Sequence, residues 1–286
     1  MFRSILVPLD GSAFSETALP HALALAERSG GSVTLAHAAS SSEDVPWLEQ
    51  LAERVRGAGP EVELHTAVLR GDPVPALHQF VVEQSVDQII MTTHGLGGVT
   101  RAWMGSVADG LVRRTPAPIL LLRSQDDEPS ADLASRPRPA RILVALDGSE
   151  PSEAIVPWAE ELARLNRASL VLVGVVPAEE GFAGYLPPTG ALDREMSAAA
   201  REMEGYLEGL AERLRAGGAS VGVRVVTGPP PAEGILATRE KAGAELMAFA
   251  TSGRGGVARL LVGSVADRLI REGACPVLVF RARQHG

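Results

Sequence analysis

The sequence predicts an α/β protein built from two tandem domains, each a doubly wound, five-stranded parallel sheet. Its 286 residues are enough for two ordinary domains. Apolar runs typical of strands alternate with helical patterns through each half, which is the pattern of βα units. The phrase Ile5–Ser12 also returns as Ile142–Ser149, 137 positions later (142 − 5). A repeat of this length indicates a duplicated domain.

The elements of the first half follow from its apolar periodicity. Strands are predicted near 4–9, 32–39, 61–69, 88–93 and 118–123, and helices near 15–29, 46–57, 74–85 and 106–114. The strands are nearly continuous in Val, Ile and Leu, as expected when helices cover both faces of a parallel sheet. Pro20 and Pro157 lie inside helical patterns and predict a bend or a late helix start.

The repeat also predicts the domain boundaries: a first domain at 1–125, a linker at 126–140 and a second domain at 141–286. The linker is polar and punctuated by prolines. The distance between matching residues of the two halves then grows from 137 positions to 159, as between Leu51 and Leu210 (210 − 51). The second half therefore contains an extra segment near 177–200. A long helix follows, with an apolar stripe at Leu192, Met196, Ala199, Met203, Tyr206 and Leu210. That stripe indicates either a helix packed on its own sheet or a lid or subunit contact.

Composition excludes several classes of function. The net charge of −8 disfavours a nucleic-acid partner. Lys241 is the only lysine and Cys275 the only cysteine, so an internal disulfide and a cysteine-based zinc site are excluded. Neither a leader peptide nor a membrane-spanning run is recognised, and we expect a cytoplasmic protein without a membrane partner.

Two glycine-rich loops are the most distinctive feature. Each lies between an apolar strand and a helix, as His94–Ser106 in the first half and Ser252–Ser264 in the second. Such a loop can direct backbone N–H groups toward an anion, and the helix adds the positive end of its dipole. Alternatively, Ser106 with Asp109, and Ser264 with Asp267, fit a capping box that only starts a helix.

A carboxylate ends the first strand of each half, at Asp10 and Asp147. In a doubly wound sheet these residues would face the same crevice as Gly95 and Gly253, which follow the fourth strands. Each aspartate is either a turn or cap residue or a hydrogen-bond acceptor for a ribose hydroxyl or an adenine amino group. The chain has no P-loop, no nucleophile elbow and no paired carboxylates, so no catalytic or metal-binding residue is predicted.

The strand end Val7–Ser12, together with Gly105-Ser106-Val107-Ala108, resembles the universal stress protein family, and the second half repeats both features. The family motif G-x2-G-x9-G-(S/T) matches at its second glycine, Gly95 or Gly253, and at Gly105-Ser106 or Gly263-Ser264. At the first glycine the sequence departs from the motif, with Thr92 and Ala250.

The resemblance implies a cytoplasmic stress-response protein that binds ATP, with or without Mg²⁺, as a regulatory ligand in one or both halves. It also implies that the halves associate as an intramolecular pseudo-dimer, and a homodimer stays open. The resemblance slightly favours the second half as the site of ATP binding. Val175 matches the valine that the family has beside adenine, whereas the first half has Ala38 at that position. Two alternatives stay open: a nucleotide-free module that contacts proteins through the 192–215 helix, and a weak ATP hydrolase. The residues that the resemblance places at the ligand are Pro8, Asp10, Gly95, Gly105, Ser106 and Val107 in the first half, and Asp147, Val175, Gly253, Gly263, Ser264 and Val265 in the second.

Overall fold

A computed structural model describes residues 1–39, 46–59, 61–93, 104–123, 130–178, 191–252 and 263–282, without the side chains of 191–197 and 252. The first half contains β1 (Ser4–Pro8), α1 (Ala13–Glu16), α2 (Leu19–Ser29), β2 (Ser32–Ala39), α3 (Pro46–Gly57), β3 (Glu63–Arg70), α4 (Pro73–Glu83), β4 (Gln88–Thr92), α5 (Ser106–Arg114) and β5 (Ile119–Leu122). The second contains β6 (Arg141–Ala145), α6 (Glu150–Glu153), α7 (Val156–Asn166), β7 (Ser169–Pro177), α8 (Ala191–Ala216), β8 (Val221–Gly228), α9 (Pro231–Ala242), β9 (Leu246–Ser252), α10 (Ser264–Glu272) and β10 (Val277–Ala282).

The chain forms two compact units. Among the described residues, the first unit comprises Met1–Arg138 and Ala274–Arg281, and the second comprises Pro139–Ser252 and Gly263–Gly273. The first unit has the parallel order β3-β2-β1-β4-β5, and β10 pairs antiparallel with β5 through Leu278 and Leu120. The second unit contains the parallel order β9-β6-β7-β8. The predicted α/β class is confirmed.

Both units have the strand order that creates a ligand crevice. β1 lies between β2 and β4, and β6 lies between β7 and β9. The chain therefore reverses its direction of travel across the sheet beside β1 and beside β6. In open parallel sheets ligands bind at the carboxyl ends of the strands at such a reversal. The ends of β1 and β4 consequently lie at the same edge, as the sequence predicts.

Proline sets where the second helix of each unit begins. Pro20 lies in the first turn of α2 and Pro157 in the first turn of α7. Proline is tolerated there because the first N–H groups of a helix have no partner within it. The short helices α1 and α6 precede them, each capped by a serine, Ser12 or Ser149. The predicted late helix start is confirmed in both halves.

The described part of α8 packs on its own sheet. Leu207, Leu210, Ala211 and Leu214 are buried, on the side of the helix that faces β7 and β8. Apolar residues at three- and four-residue spacing form such a buried stripe. The first interpretation of the stripe is therefore confirmed for this part of the helix. The side chains of Leu192 and Met196 lie outside the described residues.

The described part of the predicted linker, residues 130–138, is fastened to α2. The Arg28 guanidinium donates to the carbonyl oxygens of Pro137 at 2.8 Å and Arg136 at 3.1 Å. The Arg136 Nε donates to the Glu27 carboxylate at 2.7 Å. Each of these contacts is charge-assisted, and such hydrogen bonds are the stronger ones. The segment is therefore held against the first unit.

Candidate functional site

The Asp10 carboxylate organises the turn that follows β1. Its Oδ1 accepts hydrogen bonds from the Ser12 N–H at 3.0 Å and the Ser12 hydroxyl at 2.5 Å. The Ser12 Oγ in turn accepts from the Ser15 N–H at 3.2 Å, which caps α1. Gly11, between them, has φ of +83°, a conformation that glycine adopts without steric cost. Asp10 is therefore the acceptor of this turn, as one interpretation predicts, and Ser12 is the cap of α1.

The second unit repeats this network around Asp147. Its Oδ1 accepts from the Ser149 N–H at 3.0 Å and from the Ser149 hydroxyl at 2.6 Å. Burial raises the pKa of the Asp147 carboxyl, but hydrogen bonds from Ser149 and Ser152 outweigh it and leave the pKa below its usual value. The carboxylate is therefore charged at neutral pH. It offers a fixed negative charge at the end of β6.

The helices after the glycine loops begin differently from the predicted capping boxes. The N-cap residues are Gly105 and Gly263, which have no side chain, and Ser106 and Ser264 are already helical. Asp109 instead pairs with Arg113, at 2.8 and 2.6 Å, and Asp267 pairs with Arg271. The capping-box interpretation is wrong, because the serine is one position too late to cap the helix. Within the described residues, no side-chain hydrogen bond caps either helix.

Backbone donors remain at the start of α5. The Gly105 N–H already donates to the Thr93 carbonyl at 2.7 Å and closes the base of the glycine loop. Within the part of the chain that the structure describes, no acceptor faces the N–H groups of Ser106 and Val107. Ser106 is exposed and Val107 is partly exposed, so a ligand can reach both. Ser264 and Val265 hold the same positions in α10.

Two other predicted ligand residues lie in strands. Pro8 is buried at the end of β1, opposite Ala36 of β2. Val175 lies within β7, which continues to Pro177, and it pairs with Val226 of β8. Its Cγ atoms lie 3.0 and 3.1 Å from where a Cβ on Gly234 would be. The Val175 side chain therefore packs on α9.

The central glycines of both loops, Gly95 and Gly253, lie outside the described residues. Thr92 and Ala250, which replace the first motif glycine, lie in β4 and β9. Thr92 is buried, and its strand pairs with β5. The motif departures therefore fall in strands that the structure describes, just before each loop.

An aromatic pair that the sequence analysis missed lies beside the Asp10 turn. The Trp47 indole packs on Gly11, with Cε2 and Cζ2 each 3.6 Å from where a Cβ on Gly11 would be. The His37 ring meets it edge to face, with centroids 5.1 Å apart and planes at 77°. The His37 Nδ1 lies 2.8 Å from the Leu9 carbonyl oxygen. One signal was present: Trp47 and Tyr206 are 159 positions apart (206 − 47), the offset of the repeat in this region.

The second unit has different chemistry at the same place. Gly174 replaces His37, and Met203 of α8 fills the space, with its Cγ 2.6 Å from where a Cβ on Gly174 would be. The Met203 Cε reaches within 4.0 Å of the corresponding point on Gly148. Tyr206 replaces Trp47, and burial together with the nearby Glu153 carboxylate raises the pKa of its phenol.

One ion pair is common to both units. Arg54 of α3 pairs with Glu16 at 3.2 Å, and Arg213 of α8 pairs with Glu153 at 3.4 Å. Each links the helix that carries the aromatic residue to the short helix after the aspartate turn. Exposed pairs of this kind contribute little to stability, about 0–1 kcal/mol. Their repetition nevertheless shows that α3 and α8 are docked on the turn in the same way.

No group of three or more His, Cys, Asp or Glu side chains within the described residues converges as a metal site would. None of the helices within them combines the length and the apolar character needed to cross a bilayer.

Comparison with known proteins agrees with the fold. The sequence profile of the "Universal stress protein family" matches residues 1–58, 38–123 and 140–281. Universal stress protein Rv2623 of Mycobacterium tuberculosis (strain ATCC 25618 / H37Rv) is 28% identical over 309 aligned positions, covering 97% of this chain and 96% of the relative. A functionally unknown protein, PA1789 from Pseudomonas aeruginosa PAO1, has a TM-score of 0.69 at 19% identity, covering 98% of this chain and 92% of that one. A universal stress protein solved in complex with cAMP covers 42% of this chain and 95% of its own, with 25% identity and a TM-score of 0.37, too low to compare sites.

Proposed function

Because the chain belongs to the universal stress protein family, we propose that it binds an adenine nucleotide, ATP, as a regulatory ligand at the carboxyl edge of one or both sheets. One observation carries the proposal. In each unit an Asp-Gly-Ser turn ends the first strand, and a helix without a side-chain cap follows the neighbouring fourth strand. A negative and a positive feature therefore lie at the same edge, at the strand reversal where ligands bind.

The phosphates fit the helix N-termini. α5 and α10 each have nine residues, and their first N–H groups point outward with the positive end of the helix dipole. In the first unit the donors are Ser106 and Val107, since Gly105 already donates to Thr93. The loop glycines Gly95 and Gly253 would complete the cradle. Mg²⁺, when bound, would be held mainly by phosphate oxygens and water.

The sugar and base fit the aspartate turns. A carboxylate repels phosphate but accepts hydrogen bonds from ribose hydroxyls or an exocyclic amino group. Asp147 is well suited to this role because its lowered pKa keeps it charged. The nucleotide would thus lie across the edge, with its phosphates on α5 or α10 and its sugar-base end near Asp10 or Asp147.

A regulatory ligand is favoured over a substrate for hydrolysis. The only lysine, Lys241, lies on α9, and nothing in the described part of the site is placed as a general base. The protein-interaction alternative assigns partner contacts to the 192–215 helix. Met203 of that helix packs against Gly174 of its own sheet. We place this nucleotide-binding protein in the cytoplasm.

The first experiment measures nucleotide carried through purification. The protein is purified without added nucleotide and denatured, and the supernatant is analysed by chromatography with mass detection. One or two equivalents of adenine nucleotide per chain are expected. If none is released and ATP with Mg²⁺ gives no thermal shift, the proposal is overturned.

The second experiment tests the site by calorimetry. The Gly263→Val chain should lose ATP binding in the second unit, and the Gly105→Val/Gly263→Val chain should lose it in both, because a branched side chain blocks the approach of phosphate. Among the described residues a Cβ on Gly263 meets nothing within 4 Å, whereas one on Gly105 would lie 3.2 Å from the Thr93 carbonyl oxygen, so the folding of both variants is checked by circular dichroism. Gly222→Val is the matched control, since Gly222 is equally open but lies in β8. Unchanged ATP affinity in the double variant would show that the site is wrong.

A further inference from the structure

We infer that Trp47, held in place by His37, is a stacking platform for the base of the ligand, and that the first unit therefore binds a nucleotide more tightly than the second. The inference rests on the proposed function. It names a specificity-determining residue of the same site and ranks the two units.

The position of Trp47 points to the ligand. Its indole lies on Gly11, the residue directly after Asp10, at the carboxyl edge of the sheet. The φ of +83° at Gly11 disfavours any other residue, so the turn beneath the indole is fixed by glycine. The indole is only partly buried. A planar base whose ribose reaches Asp10 would therefore meet an aromatic surface.

Two neighbouring features hold the Trp47 indole in place: the His37 ring and the ion pair of Arg54 with Glu16. The His37 Nδ1 is 2.8 Å from the Leu9 carbonyl oxygen, which sets the orientation of the imidazole. The imidazole then meets the indole edge to face, an arrangement that the ring quadrupoles favour. Arg54 lies two helical turns after Trp47 on the same face of α3, and its ion pair with Glu16 holds that face toward the turn. A rigid aromatic surface loses little conformational entropy when a base stacks on it.

The second unit lacks this pair. Gly174 stands in place of His37, and the flexible thioether of Met203 fills the gap. Tyr206, in place of Trp47, lies near Glu153 and Ser152. Sequence alone favours the second unit because of Val175, but the Val175 side chain packs on α9. The aromatic pair reverses that preference.

Calorimetry with two probes tests the inference: ATP, which has a base, and inorganic tripolyphosphate, which has none. Trp47→Leu should weaken the tighter ATP site about tenfold or more, the range expected for loss of base stacking. It should leave tripolyphosphate affinity unchanged, and Trp47→Phe should restore most of the ATP affinity. Tyr206→Leu, at the same position of the repeat, is the matched control and should leave the tighter site unchanged.

Each contrary result has a distinct meaning. Wild-type protein that binds no ATP overturns the proposed function and this inference with it. Wild-type binding that Trp47→Leu does not change overturns the platform alone, as does equal weakening of ATP and tripolyphosphate. If Tyr206→Leu weakens the tighter site, the ranking of the units is reversed.

A second measurement leaves Trp47 intact. In a Trp103→Phe/Trp158→Phe chain Trp47 is the only tryptophan. Stacking of adenine on the indole should then quench its fluorescence as ATP is added, and tripolyphosphate should not. An equal response to both probes, or none to ATP in a chain that binds it, contradicts the platform.

Discussion

The surroundings of one imidazole, His21 on α2, link the stability of the first unit to pH. Burial is the main cause that lowers the pKa of His21 from 6.5 to about 4. A hydrogen bond with the Thr17 backbone raises the pKa, and the charge of Arg28 lowers it. Within the described residues the His21 Nδ1 has no partner. The folded state therefore favours the neutral ring. The stability that the buried neutral ring contributes is complete above about pH 6.5. It is lost as the pH falls toward 4, the pKa of His21 in the folded state.

His21→Gln tests this linkage. Glutamine stays neutral and can still donate a hydrogen bond to the Thr17 carbonyl. When the pH falls from 6.5 to 4, the free energy of unfolding should decrease by about 2–3 kcal/mol less in the variant than in the wild type. The size of this difference reflects a pKa shift from 6.5 to about 4, at about 1.36 kcal/mol per pKa unit. Urea denaturation at several pH values measures the difference. Parallel pH profiles for the two proteins would show that His21 does not titrate with unfolding.

At the residue scale, sequence located the aspartates but not their partners. Asp10 and Asp147 each lie in the turn directly after the first strand of their half. The capping box failed because a Ser-x-x-Asp pattern does not reveal whether the serine or the preceding glycine is the cap. An extended Gly105, with ψ of 150°, fulfils that role. The contact between His37 and Trp47 was not predictable, because it joins residues on a strand and a helix separated by a loop.

At the scale of elements, the fit of α8 on β7 depends on the absence of a side chain at Gly174. A Cβ there would lie 2.6 Å from the Met203 Cγ and 3.3 Å from a Leu207 methyl. Gly174→Ala should therefore cost about 1–3 kcal/mol, the usual range for overpacking a core. Because the obstructing atoms belong to a flexible side chain, Met203→Ala should be less harmful in the Gly174→Ala background than alone. A double-mutant cycle from urea denaturation measures that coupling.

Gly205→Ala is the control for the Gly174 substitution. Gly205 lies on α8, the helix that carries Met203. Among the described residues, a Cβ at Gly205 meets nothing within 4 Å. Alanine should stabilise the protein by up to about 1 kcal/mol, because glycine is the poorer helix former. Additive effects of Gly174→Ala and Met203→Ala would indicate that α8 is docked differently.

Element positions were largely predictable because they depend on local patterns. Apolar periodicity located the strands and helices of the first half, and Pro20 correctly predicted where α2 begins. The stripe on α8 correctly indicated packing on a sheet. The sequence could not show that the side chain of Met203 fills the space beside Gly174, because the two residues are far apart in the chain.

At the scale of the whole molecule, two features depend on long-range contacts. Residues 130–138 were expected to be a plain linker, yet Arg28 and Arg136 fasten them to α2. The repeat predicts β10 as a fifth strand but gives no sign that it pairs antiparallel with β5. Strand pairing across most of the chain leaves no local signal. Internal similarity therefore identified the strand but not its pairing with β5.

This pairing predicts how the first half behaves alone. A chain that ends at Ala140 keeps β1 to β5 but loses β10, which exposes the edge of β5. That edge is Ile119–Leu122, and all four residues are buried in the whole protein. An apolar strand edge without a partner recruits another strand. The fragment should therefore self-associate, as measured by size-exclusion chromatography with light scattering.

A peptide of residues 274–282 provides the control for the fragment. It carries β10, whose Val277, Leu278 and Val279 pair with Leu121, Leu120 and Ile119. An excess of peptide should occupy the β5 edge and shift the fragment toward the monomer, whereas the same peptide with Leu278→Pro should not, because proline lacks the N–H and disrupts strand pairing. A fragment that is folded and monomeric without peptide would mean that β5 does not need β10 as its partner.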